Sequence, residues 1–311
     1  MNQPLVSVVM TTYNGEQYLE AQLESLIAQS YKNIEIIICD DFSTDGTKDQ
    51  IKKFAAADKR ISYFFNEVNL GVNKNFEQGF LKAKGDFIAI SDQDDIWLPE
   101  KIEHQMSLFS PEEIQLVHSI SVRFSGEKLP TEKKTSAIHL FEGSDVRRLL
   151  LRNSVSGHNI IFKKKLLAQI LPLPKEVYYD WWIVQTAACN GKVVGTYKVL
   201  AYQRSHGSNV TVKKRTGGDQ TEAEYKERKN ALQAFIHLQG LKEVDREFIE
   251  LLSMKFSQLK NCSYSLELYS FLMQNREIFF FYKKGILKYF SQRKAAIRMS
   301  KKVINEILSP E

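Results

Sequence analysis

Apolar runs alternate with helical patterns through about the first hundred residues of the chain. Short runs rich in valine, isoleucine and phenylalanine predict four strands, at residues 6–11, 34–39, 61–65 and 87–91. Apolar residues three and four positions apart predict the helices between them, at residues 18–29, 47–57 and 73–84, with a fourth starting near Pro99. Strands that alternate with helices in this way indicate βαβ units around a parallel sheet covered on both faces.

The pattern is more mixed in the middle of the chain and changes near its end. Strands are predicted at residues 160–162 and 193–197, and helices near residues 144–152 and 180–190. Beyond Gly217 the alternation typical of strands disappears. Residues 221–308 are therefore predicted to be helical.

Polar clusters follow three of the predicted strands, at the point where each strand ends. They are Thr11-Thr12-Tyr13-Asn14, Asp40-Asp41 and Asp92-Gln93-Asp94-Asp95. In open α/β sheets, ligands bind outside the carboxyl ends of the strands. We therefore expect the three clusters to meet at one site, although the second cluster alone would be typical of a turn with local hydrogen bonds.

The acidic run places three carboxylates, those of Asp92, Asp94 and Asp95, directly after an apolar strand. Like charges at the end of a buried strand repel one another and lose hydration. A divalent cation removes that cost, since Mg²⁺ and Mn²⁺ prefer carboxylate oxygens and often bridge them to a substrate diphosphate. The alternative is a solvated acidic turn that caps the helix starting near Pro99.

The composition is that of an ordinary globular protein, because 43% of the 311 residues are hydrophobic and 26% are charged. The three cysteines, Cys39, Cys189 and Cys262, lie far apart. This spacing argues against a disulfide framework or a cysteine zinc site and fits a reducing compartment. The sequence shows no signal-peptide pattern and no apolar run of about 18 residues, so we expect neither secretion nor a membrane-spanning helix.

Positive charge is concentrated near the C-terminal end. The chain has a net charge of +6, and residues 276–302 alone hold nine Lys or Arg and a single acid. On a helix, Phe279, Tyr282, Ile286 and Tyr289 would share one face, which suits a helix lying on an anionic membrane. The alternatives are packing of these aromatics against the rest of the protein, and nucleic-acid binding, which the body of the chain disfavours because it has no matching basic charge.

Four motifs occur in the order and at the spacing of a known family: VVMTTYNG at 8–15, CDDFSTDGT at 39–47, NLG at 69–71 and SDQDDIWLP at 91–99. Together they resemble the family 2 glycosyltransferases over about residues 4–211. The resemblance implies the GT-A fold, a Rossmann-like mixed α/β sheet flanked by helices, and the pattern beyond Gly217 adds a helical extension after it. It also implies sugar transfer from a nucleotide-diphosphate donor, with inversion at the anomeric carbon and with Mg²⁺ or Mn²⁺ as cofactor.

The same resemblance divides the chain. Residues 1–215 would form the catalytic domain, with a nucleotide-binding half at about 1–98 and an acceptor half at about 99–215. Residues 216–311 would form a helical C-terminal region, which is basic and amphipathic near its end.

The donor-side motifs assign roles by position. Thr11, Tyr13 and Asp41 would hold the nucleobase and ribose, and a base could stack on the tyrosine ring. Asp92 would contact the ribose, or the metal through water, and Asp94 would ligate the metal. For Tyr13 the alternative is an ordinary packing aromatic.

The segment YYDWW at residues 178–182 resembles the family's acidic motif before an aromatic pair. The resemblance implies that Asp180 is the catalytic base, which takes the proton of the acceptor hydroxyl as its oxygen attacks the sugar. The diphosphate leaving group needs charge neutralisation and no proton, so one base and one metal suffice. The alternative is that Asp180 caps a helix and that the two tryptophans are core residues.

Four residues would lie near the acceptor or the donor sugar: Gly157, His158, Trp181 and Trp182. The tryptophans would desolvate the base and offer a platform for a sugar ring. For His158, a hydrogen-bonded structural histidine is the alternative.

The segment YQRSHGSNVT at residues 202–211 resembles the family's closing motif, although Gln203 departs from the commoner spacing. The resemblance implies that Arg204 pairs with a phosphate. It also implies that His206 contacts the diphosphate or completes the metal shell. A solvated loop histidine is the alternative for His206.

The sequences of the motifs at residues 92–102 and 180–182 most resemble the rhamnosyltransferase branch, which uses dTDP-L-rhamnose. We therefore expect a cytoplasmic enzyme on the inner face of the bacterial membrane that extends a lipid-linked surface polysaccharide of the cell wall. Its partners would be the donor, the lipid-linked glycan acceptor and anionic lipid, without nucleic acid. The sequence leaves open whether it is a monomer or a homodimer.

Three other functions stay open. A UDP-hexose transferase for galactose or glucose would carry the same motifs. A non-catalytic nucleotide-sugar-binding subunit of a polysaccharide assembly complex would lack the base or a metal ligand. A hydrolytic phosphatase would lack the nucleoside-binding cluster around Tyr13 and Asp41.

Overall fold

The computed structural model of the chain describes residues 3–126, 128–130, 139–207, 220–259, 264–283, 285 and 287–301. The chain divides into two compact units. The first comprises Met1–Ser144 and Ser154–His206, and the second comprises Asp145–Asn153 and Gly207–Glu311. The domain boundary expected near residue 215 lies outside the described residues.

An eight-stranded sheet forms the centre of the first unit. Its strands are β1 (Val6–Thr12), β2 (Ile34–Asp40), β3 (Ile61–Phe65), β4 (Phe87–Ser91), β5 (Ile96–Trp97), β6 (Ile114–Phe124), β7 (Ile160–Lys163) and β8 (Lys192–Arg204). Across the sheet they follow the order β3-β2-β1-β4-β7-β6-β8-β5. Strands β1 to β4 pair in parallel, whereas β7 is antiparallel to both of its neighbours. The sheet is therefore mixed, and the predicted fold class is confirmed.

Helices flank this sheet. They are α1 (Glu16–Ile27), α2 (Thr47–Ala57), α3 (Val72–Lys82), α4 (Lys101–Ser107), α5 (Leu167–Ile170) and α6 (Tyr179–Cys189). Val8 and Val9 on β1 point to opposite faces of the sheet, and both are fully buried. Leu19, Leu23 and Leu26 of α1 belong to the same core cluster as β1 and β2. Burial on both faces explains why these strands are continuous apolar runs.

Strand β6 is the main element that the apolar pattern does not predict. Gln115, His118, Ser119 and Ser121 interrupt its run of apolar residues. The first three of these are nevertheless buried, with exposed fractions of 5%, 1% and 3%. Some of their polar atoms find partners inside the unit, as when His118 Nε2 lies 2.8 Å from the Phe141 carbonyl oxygen. Tertiary hydrogen bonds, which the local pattern does not encode, therefore allow a polar strand in the core.

The second unit is helical, as the C-terminal sequence predicts. Its helices are α7 (Gln220–Phe235), α8 (Glu243–Gln258), α9 (Leu266–Gln274), α10 (Arg276–Phe279) and α11 (Lys288–Met299). The segment Asp145–Asn153 packs within this unit, where Arg148 lies over the Phe281 ring and Arg152 over the Tyr282 ring. No described helix combines the length and the apolar character that crossing a bilayer requires.

The prediction of one continuous aromatic helix face near the C-terminal end is wrong. Helix α10 ends at Phe279, and α11 starts at Lys288. Gly285 between them has a φ of 91°, a left-handed conformation that helices do not continue through. Phe279 is 3% exposed whereas Tyr289 is 51% exposed, so the two rings do not share a surface. Ile286 lies outside the described residues.

Candidate functional site

The carboxyl ends of three parallel strands bring the predicted clusters together. Thr12 at the end of β1 pairs with Asp40 of β2, and Met10 pairs with Ser91 at the end of β4. The residues that follow each strand therefore leave the sheet at the same edge. Thr11, one residue earlier on β1, is partly buried. The sequence prediction that the three clusters meet at one edge of the sheet agrees with this register.

Tyr13 and Gln93 link the end of β1 to the acidic run. The Tyr13 backbone N–H donates to Gln93 Oε1 over 2.9 Å, and Gln93 Nε2 donates to the Tyr13 carbonyl oxygen over 3.1 Å. The ring of Tyr13 is left half exposed, at 50%. A Cβ on Gly15 would meet Gln93 Oε1 at 2.3 Å, so glycine leaves room for this pair. An aromatic face held open beside the acidic run suits a flat, stacking ligand.

Asp41 is buried and holds a neighbouring loop. Its carboxylate accepts hydrogen bonds from the backbone N–H groups of Leu70 and Gly71, at 2.8 and 2.9 Å. The Asn66 side chain donates a third, at 3.0 Å. The residue is 4% exposed. The structure thus gives Asp41 a loop-positioning role, and its direct contact with a nucleoside stays a prediction.

Asp94 and His206 are in direct contact. Asp94 Oδ2 lies 2.7 Å from His206 Nε2, and both side chains are 14% exposed. The His206 ring also lies against Tyr18, with ring centroids 4.6 Å apart. Burial and the neighbouring Asp92 carboxylate raise the pKa of Asp94, although His206 opposes the rise. The pair joins the acidic run to the segment that follows β8.

Asp92, Asp95 and His158 form a second group within the acidic run. Each offers one ligand atom, and the three atoms lie within 4.8 Å of one another. Burial raises the pKa of Asp95 to about 7, against the opposing effect of His158. Burial lowers the pKa of His158, but the Asp95 and Asp92 carboxylates have the larger effect, so its pKa is raised. Tyr179 completes the group, because its hydroxyl lies 3.5 Å from Asp92 Oδ1.

Arg204 binds the acidic run through its backbone and its side chain. Its backbone N–H donates to Asp95 Oδ1 over 3.2 Å, and its Nε donates to the Asp94 carbonyl oxygen over 3.2 Å. The guanidinium lies over the rings of Tyr18 and Phe124. These contacts fix a positive charge next to the carboxylates. Its predicted pairing with a phosphate stays a prediction.

Asp180 lies in the first turn of α6 and is partly buried. Its Oδ1 accepts a hydrogen bond from the Trp181 backbone N–H over 2.7 Å. Trp181 and Trp182 are 4% and 8% exposed, and the indole N–H of Trp182 donates to the Ile170 carbonyl oxygen. Little of either ring is open to solvent, so their contact with a sugar, like the role of Asp180 as base, stays a prediction.

Gly157 and His158 are both buried. A Cβ on Gly157 would meet the Tyr179 hydroxyl at 2.1 Å, so only glycine lets that tyrosine reach the acidic run. His158 is 1% exposed. Its predicted position near a sugar is not tested by these contacts, which connect it to carboxylates instead.

The sequence does not single out three residues of this site: Gln93, Lys101 and Tyr179. Lys101 is fully buried, and burial lowers its pKa to about 7, although Asp95 opposes this shift. Its place in the sequence resembles any lysine in the first turn of a helix. For Tyr179, its place next to Asp180 was the available signal.

The model of glycosyl transferase family 2 matches residues 7–171, which is more than half of the chain. The chain belongs to glycosyl transferase family 2. The match contains the acidic run and the donor-side motifs. Family membership and the glycosyltransferase class expected from the sequence are thereby confirmed at the level of the family.

Curated members of the family are similar to this chain over part of their length. An uncharacterized glycosyltransferase of Nostoc sp. is 28% identical over 216 residues, which cover 66% of this chain and 66% of the relative. The UDP-Glc:alpha-D-GlcNAc-diphosphoundecaprenol beta-1,3-glucosyltransferase WfgD of Escherichia coli is 30% identical over 184 residues, covering 58% and 70%. The chain spans two thirds or less of the length of the Nostoc protein and of relatives from Haemophilus influenzae and Rickettsia felis.

Solved structures share the fold. The crystal structure of S. aureus TarS 1–349 in complex with UDP-GlcNAc matches with a TM-score of 0.60 and 17% identity, covering 94% of this chain and 89% of that one. The mannosyltransferase PcManGT from Pyrobaculum calidifontis, in complex with GDP-Man and Mn²⁺, matches with a TM-score of 0.59 and 14% identity, covering 96% and 86%. At these identities the likeness concerns the fold alone.

Proposed function

We propose that this family 2 glycosyltransferase moves a sugar from a nucleotide-diphosphate donor to a hydroxyl of a growing, lipid-linked bacterial surface polysaccharide, with inversion. The observation that carries the proposal is the contact between Asp94 and His206, which joins an acidic run to the closing motif at the carboxyl edge of the sheet. Ligands of open α/β sheets bind at this edge. The half-exposed Tyr13 ring at the same edge supports a nucleobase position.

Asp94 and His206 fit a divalent cation. Their facing atoms are 2.7 Å apart, close to the roughly 3 Å that separates neighbouring ligands of an octahedral ion with bonds of about 2.1 Å. His206 would hold the ion through an Nε2 that has given up its hydrogen. Burial raises the pKa of Asp94, so its carboxylate gains from a nearby positive charge. We propose Mn²⁺ or Mg²⁺ here, which when bound would neutralise charge on the diphosphate leaving group.

The chain's own residues would bind and orient the donor. Tyr13 stacks on the base, while Asp92, whose side chain is 37% exposed, faces the ribose. The guanidinium of Arg204, already held beside the acidic run, pairs with a phosphate. Thr11 and the loop held by Asp41 line the nucleoside side.

Asp180 is proposed as the base. An inverting transfer needs one carboxylate that takes the acceptor proton as the oxygen attacks. The first turn of α6 supports this role, because Tyr179 in the same turn reaches Asp92 of the acidic run. The Asp180 carboxylate is oriented by the Trp181 N–H. Its partial exposure is consistent with access for an acceptor hydroxyl.

The best candidate for the donor is dTDP-L-rhamnose, because the motif sequences at residues 92–102 and 180–182 resemble those of rhamnosyltransferases. One observation favours a second candidate, a UDP-hexose: the relative WfgD is named for UDP-Glc and for a diphosphoundecaprenol-linked acceptor. The same name supports a lipid-linked acceptor for this chain. The protein would act as a monomer or a homodimer in the cytoplasm, on the inner face of the membrane.

Contact with anionic lipid is proposed through the start of α11. Leu287, Tyr289 and Phe290 are 67%, 51% and 63% exposed, and Arg293 and Lys294 on the next turn are exposed too. Apolar side chains flanked by basic ones suit the boundary between headgroups and acyl chains. Attachment there would bring the enzyme to a membrane-bound acceptor.

A transfer assay tests the proposal. The full chain is incubated with Mn²⁺, a diphosphoundecaprenol-linked sugar and either dTDP-L-rhamnose, UDP-glucose or UDP-galactose. The masses of the products are then measured by mass spectrometry. Addition of one sugar from dTDP-L-rhamnose alone supports the main proposal, and addition from a UDP-hexose supports the alternative. Donor binding without transfer to acceptor or water points to a non-catalytic subunit, and the absence of both binding and transfer contradicts the proposal.

A further inference from the structure

His158 lies between two carboxylates of the acidic run, and the proposed transfer gives it no step. Its Nδ1 is 3.5 Å from Asp92 Oδ2 and 3.4 Å from Asp95 Oδ2. The residue is 1% exposed, so a donor molecule has no direct access to its ring. Any effect of this histidine on a bound donor must therefore pass through the carboxylates.

The neighbours of His158 indicate which ring nitrogen carries the hydrogen. The Asn159 side-chain amide donates to Ser121 Oγ over 3.3 Å. Ser121 Oγ in turn lies 2.9 Å from His158 Nε2. A serine hydroxyl has one hydrogen and two lone pairs, so it can donate to Nε2 while it accepts from the amide. Nδ1 faces one oxygen of Asp92 and one of Asp95. An ionised carboxylate only accepts, so these two neighbours place the ring hydrogen on Nδ1.

Asp95 and Asp92 differ in their solvent exposure and in their other hydrogen-bond partners. Asp95 is 1% exposed, and its Oδ1 is fixed by the backbone N–H of Arg204. The Asp92 side chain is 37% exposed. Asp95 is thus the fixed end of the group and Asp92 the end that reaches the surface of the site.

We propose that His158 is a positioning residue, whose Nδ1–H attracts one oxygen of Asp92 and one of Asp95 and so orients the Asp92 carboxylate for the donor. The Tyr179 hydroxyl, 3.5 Å from Asp92 Oδ1, steadies the other oxygen. This inference rests on the proposed function, because a donor contact through Asp92 is part of that function.

A cation bound by Asp92, Asp95 and His158 is the competing explanation, since their ligand atoms lie within 4.8 Å of one another. Binding through Nδ1 needs its lone pair, and the two carboxylates that face Nδ1 favour the tautomer in which Nδ1 carries the hydrogen instead. The two explanations therefore differ in the tautomer of His158 and in whether the ring is needed for Mn²⁺ binding.

The test compares four variants of the full chain. His158→Leu removes the N–H, His158→Asn keeps an amide N–H near the Nδ1 position, and Ser121→Ala removes the partner of Nε2. His118→Gln is the matched control, because His118 is also 1% exposed but bonds the Phe141 carbonyl instead of the acidic run. Donor KM and kcat, Mn²⁺ affinity without donor, and melting temperature are measured for each, and ¹⁵N NMR reports the tautomer of the wild type.

We expect the donor KM to rise about ten- to a hundredfold in His158→Leu, the scale known for losing the outer partner of a metal ligand. The rise should be smaller in Ser121→Ala, which loses only the partner of Nε2. The rise should be smaller in His158→Asn and absent in His118→Gln. Mn²⁺ affinity should stay that of the wild type in all four. An Nε2–H tautomer, loss of Mn²⁺ binding in His158→Leu, or an unchanged KM in that variant would overturn the inference. Should the wild type bind no nucleotide sugar at all, the proposed function fails, whereas the tautomer and Mn²⁺ measurements still decide between a positioning histidine and a metal ligand.

Discussion

The imidazole of His206 touches the carboxylate of Asp94 at 2.7 Å, although 112 positions separate the two residues. The contact closes the end of β8 over the turn that follows β4. Arg204 strengthens it by donating from Nε to the Asp94 carbonyl oxygen. Two motifs that are far apart in the sequence therefore form one charged site, and this site is the basis of the proposed function.

The pair formed by Gln93 and Tyr13 should matter for donor binding. Gln93→Ala removes two hydrogen bonds to the Tyr13 backbone, each worth about 1 kcal/mol. We expect the donor KM to rise about tenfold with little change in kcat, because the tyrosine ring loses its fixed position. Gln17→Ala is the control, since Gln17 is exposed on α1. Steady-state kinetics give the donor KM of both variants. Equal KM values for Gln93→Ala and Gln17→Ala would contradict a role of Gln93 in donor binding.

Much of the parallel half of the sheet follows from the sequence. Its strands are apolar on both faces, and helices of similar length separate them, so pattern alone predicts β1 to β4. Strand β6 does not follow, because it buries polar residues. Its His118 and Ser119 bond Phe141 and Asn159, partners that only the folded chain brings near.

The site was predictable to a similar extent. The acidic run and His206 stand in recognisable motifs and lie in contact, while the role of Asp94 and His206 as a metal pair stays a prediction. The partners of Asp41 did not follow from the sequence, because the N–H groups that it binds belong to Leu70 and Gly71 on a separate loop. The face of the C-terminal helix was mispredicted because a helical projection ignores the break at Gly285.

Replacement of the proposed base should separate donor binding from transfer. Asp180→Asn keeps the side-chain size and an oxygen for the Trp181 N–H but cannot take a proton. We expect unchanged donor affinity by calorimetry and a loss of about 10²- to 10⁴-fold in kcat. Asp86→Asn, at an exposed aspartate, is the control. Transfer at the wild-type rate would mean that another residue is the base.

His118 should make the first unit sensitive to acid. Burial lowers the pKa of His118 to about 4, against about 6.5 in an unfolded chain. Between these values the unfolded state binds a proton that the folded state does not, so stability falls as the pH falls, by up to about 3 kcal/mol.

His118→Gln removes this proton uptake. At pH 7 the variant should melt below the wild type, because the bond to the Phe141 carbonyl is altered. The gap between the two melting temperatures should narrow as the pH is lowered from 6.5 towards 4. His237→Gln, at an exposed histidine, is the control and should follow the wild type. A gap that stays constant with pH would refute the assignment.

The start of α11 should determine binding to anionic membranes. The double variant Leu287→Ser with Phe290→Ser removes two side chains that are 67% and 63% exposed. Their burial in lipid contributes about 3 kcal/mol, so sedimentation with phosphatidylglycerol vesicles should weaken about a hundredfold. The matched control is Leu266→Ser with Val244→Ser, at side chains 65% and 63% exposed. Equal binding of the two double variants would exclude this surface.

Thermal unfolding with nucleotide sugars tests the central claim most directly. Three proteins are compared: the wild type, Asp94→Ala and the control Asp49→Ala, whose aspartate side chain is 86% exposed. The melting temperature of each is measured with dTDP-L-rhamnose, UDP-glucose or UDP-galactose, with and without Mn²⁺. A donor at a hundred times its Kd stabilises the folded state by about 2.7 kcal/mol. We predict that one donor raises the melting temperature of the wild type and of Asp49→Ala by several degrees when Mn²⁺ is present, and that Asp94→Ala loses this Mn²⁺-dependent rise. A rise that is the same with and without Mn²⁺, or that Asp94→Ala retains, would contradict the metal site at Asp94, and no rise with any donor would contradict the account as a whole.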